Sequence, residues 1–258
     1  MSSKSSMLAG KVGLVVGIAN EHSIAAGCAR AFHQAGAELA ITYLNEKSKP
    51  YVEPVAHAVE AKLCVSLDVA VDGELEAAFD QISSKWGRLD FVLHSIAYCP
   101  KIDLHGRVID SSRDGFAQAM DVSVHSFLRM ARLAEPLMKS GGTLLTVSYY
   151  GAEKVVDRYN VMGPVKAALE ATTRYMAAEL GSKGIRVNAL SPGPLRTRAA
   201  SGIDHFDILI DEARRRAPEH CLVTIEDVGA MAAFLVSDQA RHVTGDITFV
   251  DAGVHVMA

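Results

Sequence analysis

Val12-Gly-Leu-Val-Val16 runs directly into Gly17-Ile-Ala-Asn-Glu-His-Ser23-Ile24-Ala-Ala-Gly27. The first five residues form a compact apolar run with three valines, which reads as a buried strand. Gly17 lets the chain turn sharply off that strand. Ser23 is expected to cap a helix running from Ser23 to about Ala35, with Gly36 as its left-handed stop. The free amides and dipole at the start of that helix would then face an anion such as a pyrophosphate. Ala25, Ala26 and Gly27 are small enough to let the helix lie close on a sheet. The spacing is not G-x-G-x-x-G, so the reading rests on these local roles and not on a fingerprint.

The same alternation continues along the chain. Strands are expected at Glu38–Tyr43, Leu63–Leu67, Phe91–His94, Thr143–Val147, Ile185–Leu190 and Ile247–Val250. Helical stretches lie near Tyr51–Ala61, Asp72–Trp86, Asp114–Met138, Val161–Leu180 and Ile225–Leu235, the last with Thr224 and Asp227 as a cap. This pattern predicts an α/β fold: a doubly wound parallel seven-stranded sheet of Rossmann type, in a single domain spanning 1–258. Ser191–Ser201 is rich in Pro, Gly and Arg, and an amphipathic piece, Ile203–Arg216, follows it. Loops at the carboxyl ends of such strands build the ligand crevice, so a small substrate-binding lid is expected at about 196–216.

Composition narrows the partners. The 258 residues carry a net charge of −4, so no basic surface invites nucleic acid or an anionic membrane. No apolar run approaches the ~20 residues that span a bilayer. Lys4 and Lys11 around a Gly-broken apolar patch make a poor signal peptide. Cys28, Cys64, Cys99 and Cys221 are far apart, and the ten histidines form no ligand cluster. No metal centre and no disulfide framework is expected, and a cytoplasmic setting fits.

Tyr159 and Lys166 stand seven residues apart. On a helix that is about two turns, so both side chains would leave one face. A neutral phenol can donate to a developing oxyanion, and a nearby ammonium would lower its pKa while holding sugar hydroxyls. Tyr149, ten residues upstream, can approach the same spot. Asp68 of Leu67-Asp68-Val69 can accept from an adenine amine, and His94-Ser95-Ile96-Ala97 would let a nicotinamide ribose lie against the backbone. Tyr43-Leu44-Asn45-Glu46-Lys47 ends the second strand without an acid for a ribose 2′-hydroxyl or an arginine for a 2′-phosphate. NADH is expected, with NADPH not excluded. Taken singly, each of these residues also has a plain structural role as a half-buried aromatic, a solvated charge or a strand terminator.

Together they resemble the short-chain dehydrogenase/reductase superfamily, and within it the bacterial enoyl-acyl-carrier-protein reductases of Tyr-x6-Lys type. The matching pieces are Gly17-Ile-Ala-Asn, Ser23-Ile24-Ala, Gly36-Ala-Glu-Leu-Ala, Asp68-Val69, His94-Ser95-Ile96-Ala97, Ser148-Tyr149 and Tyr159-Asn-Val-Met-Gly. Arg186-Val-Asn-Ala, Gly193-Pro-Leu-Arg-Thr197 and Ala199-Ala-Ser-Gly-Ile203 extend the match. The resemblance implies NADH-dependent reduction of the trans-2 double bond of an enoyl-acyl-carrier-protein thioester in bacterial type II fatty acid synthesis. It implies that Tyr159 stabilises the enolate oxygen, that Lys166 holds the nicotinamide ribose, and that Tyr149 is counted with the catalytic residues. Gly17, Ser23, Ile24, Asp68, Val69, Ser95, Ile96, Leu195 and Thr197 would line the dinucleotide site, with Leu44 where a polar residue usually meets the adenosine. Cys99 would contact substrate, and Met162, Phe206 and the 196–210 segment would border the acyl pocket. It also implies a homotetramer packed through Asp114–Met138 and Val161–Leu180.

The chain departs from the commonest pattern at Tyr98 and Cys99, where Phe and Ala are usual. Pro164 requires the helix that carries Lys166 to begin near Asn160 or later. Two rival readings are a carbonyl reductase or alcohol dehydrogenase using Ser148 as oxyanion partner, and a nucleotide sensor without turnover.

Overall fold

Val12–Val16 (β1), Glu38–Tyr43 (β2), Leu63–Ser66 (β3), Phe91–His94 (β4), Gly142–Val147 (β5), Ile185–Pro192 (β6) and Ile247–Val250 (β7) pair in parallel throughout. Their order in the sheet is β3-β2-β1-β4-β5-β6-β7, as the doubly wound expectation requires. These features belong to a computed structural model that describes residues 7–195, 197 and 206–257. The helices are Ile24–Gln34 (α1), Lys49–Ala58 (α2), Glu74–Trp86 (α3), the short Lys101–Leu104 (α4), Arg113–Met120 (α5), Ser126–Ala134 (α6), Met162–Leu180 (α7), Phe206–Arg216 (α8) and Ile225–Val236 (α9).

The inner strands of the sheet, β2, β1, β4, β5 and β6, are buried on both faces, which is why they read as near-continuous apolar runs. One core joins Phe32 of α1, Val52 of α2 and Leu235 of α9 to the sheet, with the Phe32 and Phe91 rings 4.8 Å apart. The other joins Ile82 of α3, Phe127 of α6 and Val165 and Leu169 of α7. Each such side chain contributes about 1.5–3 kcal/mol on burial, so the two apolar layers hold the helices to the sheet.

Local signals behave as expected at two helix ends. Gly36 leaves α1 with φ 101°. Thr224 caps α9 in a reciprocal box, its hydroxyl accepting from the Asp227 amide and its own amide donating to the Asp227 carboxylate at 2.8 Å.

Three expectations need correction. Ser23 occupies the cap position of α1, but its side chain makes no cap; the hydroxyl donates to the Asn20 carbonyl at 2.7 Å, which closes the turn before the helix. Gly27 serves a helix contact, not a sheet contact. A Cβ there would sit 2.3 Å from the Ile225 carbonyl oxygen, and one on Gly229 would sit 2.6 Å from the Gly27 carbonyl oxygen. The predicted helix Asp114–Met138 is not continuous. A π turn, Asp121–His125, separates α5 from α6, and a 3-10 turn at Glu135–Leu137 follows, where Pro136 withholds an amide. Ser123 in the π turn meets the loop beyond β4, and Ser126, the first residue of α6, meets His94 at the end of β4. Of the expected lid, Arg196 and residues 198–205 lie outside the described residues; α8 supplies the rest.

Because α1 and α9 meet backbone to backbone, Gly27→Ala should destabilise the protein by about 1–3 kcal/mol, the usual penalty of overpacking. Urea unfolding would measure it, and an unchanged midpoint would mean that the two helices part freely.

Candidate active site

Strand order reverses between β1 and β4, so the chain leaves these neighbours towards opposite faces and a crevice opens at their carboxyl ends. Gly17 marks the point: its φ is 103°, and a Cβ there would lie 2.0 Å from the Ser95 carbonyl oxygen. Next to it is a cavity of about 390 Å³, walled by residues 95–99, 147–149 and 192–195 together with Ile24, Lys101, Leu104, Tyr159, Met162, Lys166, Thr197 and Leu209. Most of this lining is apolar, and its polar groups include Ser148 and Tyr149 beyond β5, Lys166 on α7 and Tyr159 before it.

Tyr159 does not stand on a helix. It lies in the turn before α7, between Arg158 at φ 63° and Asn160 at φ 45°. Left-handed backbone costs roughly 1–2 kcal/mol per non-glycine residue, so the surroundings must impose this turn. One restraint is Asn160, whose side-chain amide donates to the Leu104 carbonyl at 2.7 Å. The Tyr159 ring meets Tyr149 edge-on at 4.9 Å, and Tyr149 meets Tyr150 likewise at 4.7 Å. Burial holds the Tyr159 phenol above its usual pKa, with Glu170 adding to the effect. The expected lowering by Lys166 is therefore overturned, and Tyr159 stays a protonated donor. Tyr149 is also raised, chiefly by burial.

Lys166 is on α7 and 5% exposed, and its Nζ donates to the Val147 carbonyl at 2.7 Å. Burial lowers its pKa to about 8, against the opposing pull of Glu170. Ser148 donates its hydroxyl to Glu170 Oε1 at 2.6 Å, so that proton is already committed. Beneath them His94 is fully buried between Thr146 and Ser126. Ser126 gives its proton to the Val122 carbonyl at 2.7 Å, so it accepts from His94 Nε2–H, while Nδ1 lies 2.9 Å from the Thr146 hydroxyl, which also reaches the His94 carbonyl at 3.2 Å. Burial first, and the Lys166 cation second, push His94 down to about 3, so the ring is neutral.

The cavity wall thus brings together Ile24, Ser95, Ile96, Cys99, Tyr149, Tyr159, Met162, Lys166, Leu195 and Thr197 of the expected residues. Gly17, Ser23, Leu44, Asp68 and Val69 are not on that wall; they follow β1, β2 and β3 along the same sheet edge. Leu44 is half exposed, the Asp68 carboxylate accepts from the Ala70 amide at 2.9 Å, and the Val69 carbonyl accepts from Arg129 at 2.7 Å. Phe206 begins α8, and its side chain lies outside the described residues. Sequence reasoning missed Leu104, which reaches the wall through tertiary packing, whereas Leu209 falls within the expected 196–210 border. It also missed Glu170, although an acid among Val165, Leu169 and Thr173 on one helix face was a visible signal.

A family model described as Enoyl-(Acyl carrier protein) reductase matches residues 17–255. The chain belongs to that family. Among curated enoyl reductases, the enoyl-acyl-carrier-protein reductase (NADH) 1 of Rhizobium meliloti is 46% identical over 257 residues, which cover 100% of this chain and 94% of that protein. The crystal structure of the Aquifex aeolicus enoyl reductase (NADH) superposes with a TM-score of 0.95 at 46% identity, covering 98% of this chain and 99% of the other. That of the Anaplasma phagocytophilum enoyl reductase in complex with NAD gives 0.95 at 45% identity, covering 98% and 97%.

In this enoyl reductase the neutral His94 ties stability to pH. Unfolded, the ring takes its proton at an ordinary 6.5; folded, only at about 3. The unfolded chain therefore binds the proton first, so the contribution is present above pH 6.5 and is lost as pH falls towards 3. Replacing His94 by Gln should flatten the loss of urea midpoint between pH 6.5 and about 4; parallel pH slopes for the two proteins would exclude the assignment.

Proposed function

We propose that this chain reduces the trans-2 double bond of enoyl-acyl-carrier-protein thioesters with NADH, and that Tyr159, Lys166 and Tyr149 carry the reaction. The supporting observation is that a protonated, buried phenol and a buried amine line one apolar cavity whose Ser148 hydroxyl is already bound to Glu170. The chemistry NADH supplies when bound is hydride delivery to Cβ of the enoyl thioester.

The residues present fit such a dinucleotide. Gly17 leaves no side chain at the closest backbone approach, and α1 presents a first turn that Ser23 leaves uncapped. Ile24, Ser95, Ile96, Leu195 and Thr197 would flank it, with Leu44, Asp68 and Val69 further along the sheet edge under the adenosine. Lys166 uses one of its three donors on Val147, and the others would hold the ribose. Tyr159 would meet the negative charge that develops on the thioester oxygen, and Tyr149 would wall the acyl group beside it. Cys99, Met162 and Leu209 would border the chain, with 196–216, Phe206 included, as the lid.

NADH over NADPH is supported by the end of β2. No arginine stands there to hold a 2′-phosphate, and Glu46, which accepts the Tyr43 hydroxyl proton at 3.1 Å, is offset by Lys49 at 3.8 Å. A homotetramer is supported by exposed Phe116 on α5, Leu128 on α6 and Tyr175 on α7, the last 81% exposed. Four free cysteines suit a reducing cytoplasm.

Tyr159→Phe should lower turnover about 10²–10³-fold, the usual effect of losing an oxyanion donor, while NADH affinity is nearly kept. Lys166→Ala should weaken NADH binding markedly. Steady-state rates and fluorescence titration separate the two; a Tyr159→Phe protein that kept turnover but lost NADH affinity would reverse the roles. With the unmodified protein, NADH should be consumed with crotonyl and not acetoacetyl thioesters, whereas a carbonyl reductase would show the opposite preference.

A further inference from the structure

Glu170 lies four residues beyond Lys166 on α7 and is 2% exposed, yet none of the roles above uses it. Its Oε1 accepts the Ser148 hydroxyl proton at 2.6 Å, and Ser148 directly precedes Tyr149. Side chains four apart on a helix rise from Cβ atoms roughly 5–6 Å apart, so the carboxylate and the Lys166 amine share one face. The two groups hold successive residues of the β5 end, Lys166 through the Val147 carbonyl and Glu170 through Ser148.

The surroundings leave the amine short of other help. His94 from β4 is neutral, and Tyr149 and Tyr159, from the β5 end and the turn before α7, are protonated phenols. Glu170 itself faces Glu153 from the loop after β5 and Arg174 on its own helix, besides Ser148 and Lys166.

We propose that Glu170 is a positioning residue of this active site, whose carboxylate supplies the countercharge for the buried Lys166 cation and anchors Ser148 beneath Tyr149. The inference rests on reading Lys166 as the ribose ligand. Burial lifts the Glu170 carboxyl, while Ser148, Arg174 and Lys166 draw it back. Burial draws the Lys166 amine down and Glu170 is the charge that opposes it, so removing that carboxylate should lower the Lys166 midpoint further.

The test uses the cofactor-free protein first. With lysine Nζ labelled by nitrogen-15 and the signal identified in Lys166→Met, the Lys166 midpoint should fall by about one pH unit or more in Glu170→Gln and stay near its original place in Glu170→Asp. NADH titrations should then show the KM for NADH of Glu170→Gln rising steeply with pH while kcat at saturation changes little. A folded Glu170→Gln protein with an unmoved Lys166 midpoint overturns the proposal. So does a Glu170 carboxyl that is still protonated at about pH 7 in the unsubstituted protein, read from its carbon-13 shift, and that measurement stands even if Glu170→Gln fails to fold. If the unsubstituted protein binds no NADH, the ribose-ligand reading fails, while the nitrogen titration still judges the countercharge.

Discussion

The Ser95 amide donates to the Val16 carbonyl at 3.0 Å where Gly17 turns away with φ 103°, and the site is built outward from this join. It is the last rung between β1 and the end of β4, the two strands at which the sheet order reverses. Past it, the Gly17 chain climbs to α1 on one face, and the Ser95 chain runs through 95–99 to α4 on the other. The two backbones are so close that a single added carbon would collide with the Ser95 carbonyl. A wider join would move Ser95 and Ile96 away from Ile24, and the crevice would lose one wall. The cavity is thus a consequence of sheet topology, and glycine is the condition for closing its floor.

Burial, not pairing, governs the electrostatics inside that cavity. It raises both phenols, lowers His94 and lowers Lys166, and in each case desolvation outweighs every neighbouring charge. The expectation that Lys166 would acidify Tyr159 fails for the same reason, and because the Lys166 amine is turned to the Val147 carbonyl. A phenol in this condition keeps its proton at rest, yet its dipole acts across a low-dielectric space where a developing negative charge is felt strongly. On the proposed reading, Tyr159 answers charge on the substrate oxygen by hydrogen bonding, without first becoming a phenolate.

What was legible in the chain follows from which forces act locally. Val12–Val16, Glu38–Tyr43 and Phe91–His94 were readable to the residue because a strand buried on both faces has to be apolar along its length. The Thr224–Asp227 box was readable because both partners lie within one turn. Ser23 was not, since its hydroxyl had a choice between the helix amides and the Asn20 carbonyl, and loop closure took it. Nor was the π turn at Asp121–His125, whose purpose lies in distant partners: Ser123 exchanges hydrogen bonds with the Tyr98 backbone, and Ser126, just after the turn, meets His94. Gly27 looked like a sheet contact because only the folded chain brings α9 against it.

The Tyr159–Lys166 spacing had the right consequence for a different reason. Helix periodicity would put the two side chains on one face, but Tyr159 precedes α7, so a strained turn and a helix of fixed start set their relation instead. Pro164 at the third helical position needs no amide partner there, whereas deeper in the helix it would break a hydrogen bond. The proline therefore bars the helix from starting much earlier, while Asn160, bound to the Leu104 carbonyl, holds the turn from the other side. Each residue of slip in that start would rotate Lys166 by about 100° around the α7 axis and carry its amine away from the Val147 carbonyl. The six-residue gap works as turn plus helix, and the proline that looked out of place within it is one of the two residues that fix its register.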